Sequence, residues 1–413
     1  MKKINIITLF ILLLIFGGCQ QKDPQETINQ GKAEISIARL LDRNEQIQMS
    51  QEWDQVQNNY AKLKNRLMLD PTDVDAALKL VLLFTQEARV TGEHGHYYPA
   101  AMHILADLEK EEVELSQDEE FFALCLRSGV LMSLHQFEKA LKVAQNAVEL
   151  NPYNAQIYGV LVDANVELGN YDEAVKAADK MVSIRPDLRS YARVSYLRQI
   201  FGDMPGAIEA MKMAVSAGFP PYEETSWARY QLAKLYEATR DYKTARAMYN
   251  QILLDRPGYP FAVAAIAHLE RREGNPERAI ELYDEAIQAI PEVSFYVDKA
   301  EILYGLNLSA EADSIMNDVF LMIKDDQESG HNMDLYSSQI YSEVLNNQDK
   351  ALEFALKEYE TRPLNIEVNK RLALIYARLG DTKSTRLHLD LALRTDVDDA
   401  ELKELQEKLK MES

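Results

Sequence analysis

Small apolar residues return along most of the 413-residue chain at a near-constant interval, with turn-forming and polar residues at fixed distances on either side. The marker is Ala140, Ala174, Ala207, Ala245, Ala279, Ala312 and Ala351, followed by Thr385, with gaps of 34, 33, 38, 34, 33, 39 and 34 residues. Five residues before it stand Gly169, Gly202, Gly274, Asn307, Asn346 and Gly380, types that accept the backbone of a tight turn. Three before it stand Phe137, Tyr171 and Tyr242; seven after it, Ala147, Ala214, Ala286 and Ala392; twelve after it, Pro152, Pro186, Pro257, Pro291 and Pro363. Ala233, Ala267, Ala300 and Ala373 lie twelve before it. This spacing predicts a helix, a tight turn and a second helix, with small residues where the two approach and a proline closing the pair.

Eight such units cover residues 121 to 398. In the two long gaps Phe219 and Lys324 fill the proline slot. Gly218-Phe219-Pro220-Pro221 and the run Asp325 to Gly330 then read as extended connectors and as bends in the array. The predicted division is a leader at 1–18, a tether at 19–33, a divergent helical region at 34–120, repeat blocks at 121–225, 226–331 and 332–398, and a capping helix at 399–413. Before residue 121, Val74 to Arg89 and Pro99 to Glu112 read as one further pair with a longer turn, and Trp53 to Leu69 as half of another.

The repeat resembles the tetratricopeptide repeat family. Leu161, then Leu168-Gly169-Asn170-Tyr171-Asp172-Glu173-Ala174 and Pro186, and Leu232-Ala233, Tyr236, Asp241-Tyr242, Ala245, Tyr249 and Pro257, carry the likeness best. The resemblance implies an all-α, right-handed superhelical solenoid in which each hairpin touches only its neighbours. It also implies that first helices line a concave face. Carried onto this sequence, that face holds Arg189, Arg193, Tyr196 and Gln199, then Trp227, Tyr230, Gln231 and Lys234, then Phe261, His268, Arg271 and Arg272. Arginine and aromatic side chains are the enriched anchors of interfaces, so the expected ligand is a protein or peptide partner with an acidic or carboxylate-ended segment. The Lys/Asn clamp of the family's chaperone-binding members is not reproduced, because Tyr196, Lys234 and His268 fill the ninth positions.

The first residues carry a different signal. Lys2 and Lys3 precede an apolar run from Ile6 to Phe16, too short to span a bilayer and in keeping with an export leader. Leu14-Ile15-Phe16-Gly17-Gly18-Cys19 resembles the lipobox of bacterial lipoproteins, which implies acylation of Cys19. Lys22-Asp23 resembles the surface-export signal of Bacteroidetes-type lipoproteins, and Gln20 is not the aspartate of inner-membrane retention. The resemblance implies an outer-membrane anchor, facing the periplasm or the exterior. A glycan-binding lipoprotein of a sugar-uptake system is the alternative, although such proteins carry long insertions between repeats and none follows residue 121.

Charge and chemistry narrow the function further. The formal net charge is −21, which disfavours nucleic acid. Cys19 and Cys125 are the two cysteines, too few for a disulfide scaffold or a thiolate zinc site. Cys125 falls on the apolar side of a first helix and reads as a small hydrophobe. No phosphate-binding glycine loop or nucleophile elbow is present. The one histidine cluster is Glu93-His94-Gly95-His96 with His103; it reads as a polar turn. The expectation is a non-catalytic envelope scaffold, with no metal and no cofactor.

Overall fold

The computed structural model describes residues 37–110, 113–220 and 222–411. The leader, Cys19 and the tether lie outside the described residues, as does Pro221. Every position five residues before the repeating alanine or Thr385 adopts a left-handed backbone. The φ angle is 78° at Gly169, 72° at Gly202, 86° at Gly274, 61° at Asn307, 48° at Asn346 and 78° at Gly380. His135 at 55° and Arg240 at 63° hold the same place in the two units that lack a glycine or asparagine there. The left-handed residue folds the chain back onto the helix it ends. Gly169 N–H donates to the Val166 carbonyl at 3.0 Å and Asn170 N–H to Asn165 at 2.7 Å. Where the next residue is Asp203, Asp241, Asn347 or Asp381, its side chain accepts an amide at the start of the second helix. The seven repeating alanines are all 0% exposed. They let the two helices of a pair meet backbone to backbone.

A lone helix α1 (Ser50–Leu69) precedes nine hairpins. These are α2 (Val74–Thr91) with α3 (His94–Asp107), α4 (Gln117–Ser133) with α5 (Phe137–Leu150), and α6 (Ala155–Glu167) with α7 (Tyr171–Ile184). Next come α8 (Leu188–Ile200) with α9 (Met204–Ser216), α10 (Glu223–Ala238) with α11 (Tyr242–Asp255), and α12 (Pro260–Arg272) with α13 (Pro276–Ala289). The last are α14 (Val293–Gly305) with α15 (Ser309–Glu328), α16 (Asp334–Gln339) with α17 (Gln348–Thr361), and α18 (Ile366–Leu379) with α19 (Thr382–Ala392). Helix α20 (Ala400–Met411) covers the final pair with Leu402, Leu405 and Leu409. Among the described residues there is no strand.

Two local expectations change, and one local feature has no counterpart in the sequence pattern. Helix α3 begins at His94, so the first hairpin has a short turn and Pro99 lies inside the helix. With lysine in the proline slot, α15 runs on to Glu328, and what reads as an extended connector is helix until Gly330 turns it at φ 91°. After α16 the backbone widens into a π turn, Ile340–Val344, in which Leu345 N–H reaches the Ile340 carbonyl at 3.1 Å. The wider turn absorbs an extra residue of the 39-residue interval.

The hairpins do not touch only their neighbours. The turns of the early hairpins pack against the junctions that follow hairpins about five units later. His135 Nδ1 lies 2.9 Å from the Asn332 carbonyl, and Gln136 Nε2 donates to Gly330 at 2.9 Å. Arg362, itself 5% exposed, reaches Glu167 at 2.6 Å and Glu358 at 2.6 Å. Ile366 N–H donates to the Tyr171 hydroxyl at 2.9 Å, and Arg394 donates to the Gly169 carbonyl. At the other end, Arg43 holds Glu87 in a two-pronged bond of 2.8 and 2.6 Å, and shares Glu52 with Arg256 at 2.6 and 2.8 Å. The superhelix is therefore wound until successive turns meet. Gly330, in the second expected bend, is one of its anchors.

Two predictions follow from this winding. A Cβ on Gly169 would fall well inside van der Waals contact with the Leu364 carbonyl oxygen, whereas one on Gly274 meets nothing within 4 Å. Gly274→Ala therefore pays only for its left-handed backbone, about 1 kcal/mol, while Gly169→Ala costs about 1–3 kcal/mol more, read by urea denaturation. The second concerns Glu52. Burial alone would raise its carboxyl, but Arg256 and Arg43 outweigh burial and hold it below the ordinary 4.5. Its folded value is the lower one, so this stabilisation is present above about pH 4.5 and is lost as pH falls through the folded value. The melting temperature of the wild type should drop on acidification below that point. Glu52→Gln should start about 2–3 kcal/mol less stable at neutral pH and fall less steeply.

Candidate functional site

The first five hairpins wind around a partly open cavity of about 1070 Å³. First helices α2, α4, α6, α8 and α10 all contribute to its wall. Three positions of the repeat face it: eighteen, fourteen and eleven residues before the key alanine. That spacing is one face of a helix. The first position supplies Gln156, Arg189 and Trp227; the second, Leu126, Val160, Arg193 and Gln231; the third, Gly129, Asp163, Tyr196 and Lys234.

The structure thus gathers Arg189, Arg193, Tyr196, Trp227 and Lys234 in one space, with Gln199 beside them. The remaining candidates lie elsewhere. Tyr230 and Phe261 pack into an aromatic layer with Tyr249, Tyr259 and Phe295, ring centroids 5.7–5.9 Å apart. His268, Arg271 and Arg272 are exposed on the next helix and do not line this cavity. Arg271 pairs with Glu301 at 2.7 Å, and Arg272 lies 4.1 Å from the centre of the Tyr242 ring.

Most of the wall's cations have partners. Arg193 takes Asp163 of the preceding hairpin in a two-pronged bond of 2.9 and 2.6 Å and also donates to the Gly159 carbonyl at 3.1 Å. Arg189 pairs with Glu224, and Arg89 of α2 with Glu223 of α10. Burial alone would raise the Glu224 carboxyl, but the Arg189 guanidinium holds it below the ordinary range. The wall is closer to neutral than the list of its cations implies. Lys234 is the exception. Its ammonium sits 5.6 Å from the Tyr230 ring centre, and among the described residues no carboxylate lies within ion-pair reach.

Tyr196 is 42% exposed, yet burial within the superhelix pushes its phenol well above the ordinary value, with Glu167 adding to the effect. Cys125 also lines the wall, and burial pushes its thiol up to about 12, so it is an inert thiol at neutral pH. Asp163 and Glu224 are the residues that cation-directed reading misses. Asp163 occupies the same repeat position as Tyr196 and Lys234. Carrying the register back one unit finds it.

Repeated helical hairpins whose first helices line an inner wall define the class of this fold. Residues 131–200 and 230–294 match models of the tetratricopeptide repeat. The chain contains tetratricopeptide repeats. Among characterised proteins, it is similar to the small glutamine-rich tetratricopeptide repeat-containing protein 2 of Saccharomyces cerevisiae, 27% identical over 134 residues. That stretch is 31% of this chain and 39% of the yeast protein, so the chain spans about two-fifths of the relative it matches. Among solved structures, Cut9-Hcn1 of the APC/C is 15% identical, with 87% of this chain and 66% of that one covered and a TM-score of 0.49. Pseudomonas aeruginosa pilF is 14% identical, with 62% and 97% covered and a TM-score of 0.39.

Proposed function

We propose that the protein is a non-catalytic scaffold that captures an extended peptide segment of a partner protein in this cavity. One observation carries this reading. The repeat register sets Trp227, Gln231 and Lys234 on one helix, in the same cavity as Gln156 of α6 and Tyr196 and Gln199 of α8. Glutamine amides can bond a peptide backbone on both its N–H and C=O sides. Trp227 and Tyr196 offer apolar area with a polar edge. Lys234 supplies the charge for an acidic or carboxylate-ended segment, because its ammonium is not committed to a carboxylate of the wall. Arg189 and Arg193 hold neighbouring hairpins together and set the spacing of the wall.

Peptide affinity tests this directly. Trp53 is 6% exposed and Trp227 is the other of the chain's two tryptophans, so a change in emission reports the cavity. Peptides ending in an acidic run should shift the emission at micromolar concentration, and their amidated neutral counterparts should bind more weakly. Lys234→Glu should weaken the acidic peptide about tenfold or more, or about 1.4 kcal/mol. Equal affinity in wild type and Lys234→Glu would contradict the assignment.

Membrane attachment through Cys19 completes the proposal. Confinement by a lipid raises the effective concentration of scaffold and partner at the envelope surface. Cells fed a clickable fatty acid should label the wild type and leave Cys19→Ser unlabelled. Equal labelling would remove the anchor from the account.

A further inference from the structure

The winding that forms the cavity also brings together three side chains from two distant parts of the chain. His94 opens α3, Asp326 lies in the last turns of α15, and His331 follows Gly330. One ligand atom from each lies within 4.8 Å of the other two. His94 is stacked on Tyr98, with ring centroids 5.3 Å apart and planes at 20°. His331 is tied back by its own amide, which donates to the Asp326 carbonyl at 2.9 Å. His135 closes the side, its ring edge-on to His331 at 4.4 Å and its Nδ1 2.9 Å from the Asn332 carbonyl.

The decisive feature is His331. Both of its ring nitrogens are buried and neither has a hydrogen-bond partner. A neutral imidazole carries one donor and one acceptor, and each left unmet in a protein interior costs about 1–3 kcal/mol. Burial and the neighbouring imidazoles of His135 and His94 push His331 down to about 3. Its two unmet ring nitrogens leave it free to offer one to a metal. Burial pushes the Asp326 carboxyl up to about 6, with Asp325 and Glu292 adding to it.

We propose that His94, Asp326 and His331 form a binding site for a zinc-class divalent ion that clips two turns of the superhelix together. Two imidazole nitrogens and a carboxylate oxygen suit zinc. Tetrahedral bonds of about 2.0–2.1 Å set ligands about 3.4 Å apart, so the three groups close in by a small side-chain rotation. The grouping differs from the sequence cluster. His94 serves, but His96 Nε2 lies 2.8 Å from the Arg39 carbonyl and His103 faces Asp107 at 3.7 Å.

The test is calorimetric titration of zinc sulfate into the full chain after chelator treatment. One ion per chain should bind, and the melting temperature should rise with it. His331→Asn should weaken that site more than about 100-fold, beyond the loss of an outer-shell partner, while His103→Asn leaves it unchanged. If His331→Asn loses its helical circular dichroism, Asp326→Asn reads the same site without altering the buried ring. Zinc binding that is absent, or unchanged in both Asp326→Asn and a folded His331→Asn, would overturn the proposal.

Discussion

At Gly169 the backbone passes so close to the Leu364 carbonyl that there is no room for a Cβ. The rest of the molecule's form depends on this kind of approach. A left-handed turn exposes its backbone at the rim of each hairpin, and the rim seats against a junction almost 200 residues further on. Arg362 and Asn365 then fix that seat through the Glu167 side chain and the Glu167 backbone carbonyl. Repeat arrays ordinarily derive their stability from neighbouring units alone. Here a second, long-range set of contacts stops the array from lengthening.

Closure changes what the inner wall is. Side chains that would look onto open solvent in an extended array look into a confined space instead. Opposite charges from first helices four hairpins apart meet there, as Arg89 of α2 and Glu223 of α10 do, and burial raises the Tyr196 phenol although its surface is accessible. A ligand entering this space must lose its own hydration. Binding is then governed by hydrogen-bonding amides, aromatic faces and the uncommitted ammonium of Lys234 more than by net charge. The same winding assembles the His94, Asp326 and His331 cluster, so the cavity and the cluster share one structural cause.

The repeat itself was legible in the chain. The alanine spacing, the turn residues five positions earlier and the prolines locate hairpins because each reports a short-range requirement: close helix approach, positive φ, a missing N–H. His135 and Arg240 escaped, since a left-handed turn can be imposed by the two flanking helices on a residue that does not prefer it. The wall was partly legible. Arg193, Tyr196, Trp227 and Lys234 follow from the register, but the pairing of Arg193 with Asp163 depends on the neighbouring hairpin. Closure was not legible. The contact of Gln136 with Gly330, or of His94 with His331, leaves no periodic trace, because it depends on the small rotation between hairpins summed over about five units. Asp325 to Gly330, after a lysine in the proline slot, reads as a connector, yet the helix continues through it to Glu328.

The winding of the superhelix is most directly tested by a distance between its turns. Lys139 and Glu328 are exposed and flank the Gln136–Gly330 bond. With Cys19 and Cys125 replaced by serine, nitroxides on cysteines at positions 139 and 328 can be measured by double electron–electron resonance. The closed form predicts one narrow distribution below about 25 Å, the reach of two label arms across touching elements. An array of hairpins in contact only with their neighbours would place nine helices, α6 to α14, between the labels at about 8–10 Å each. A distribution centred beyond about 40 Å would contradict the account.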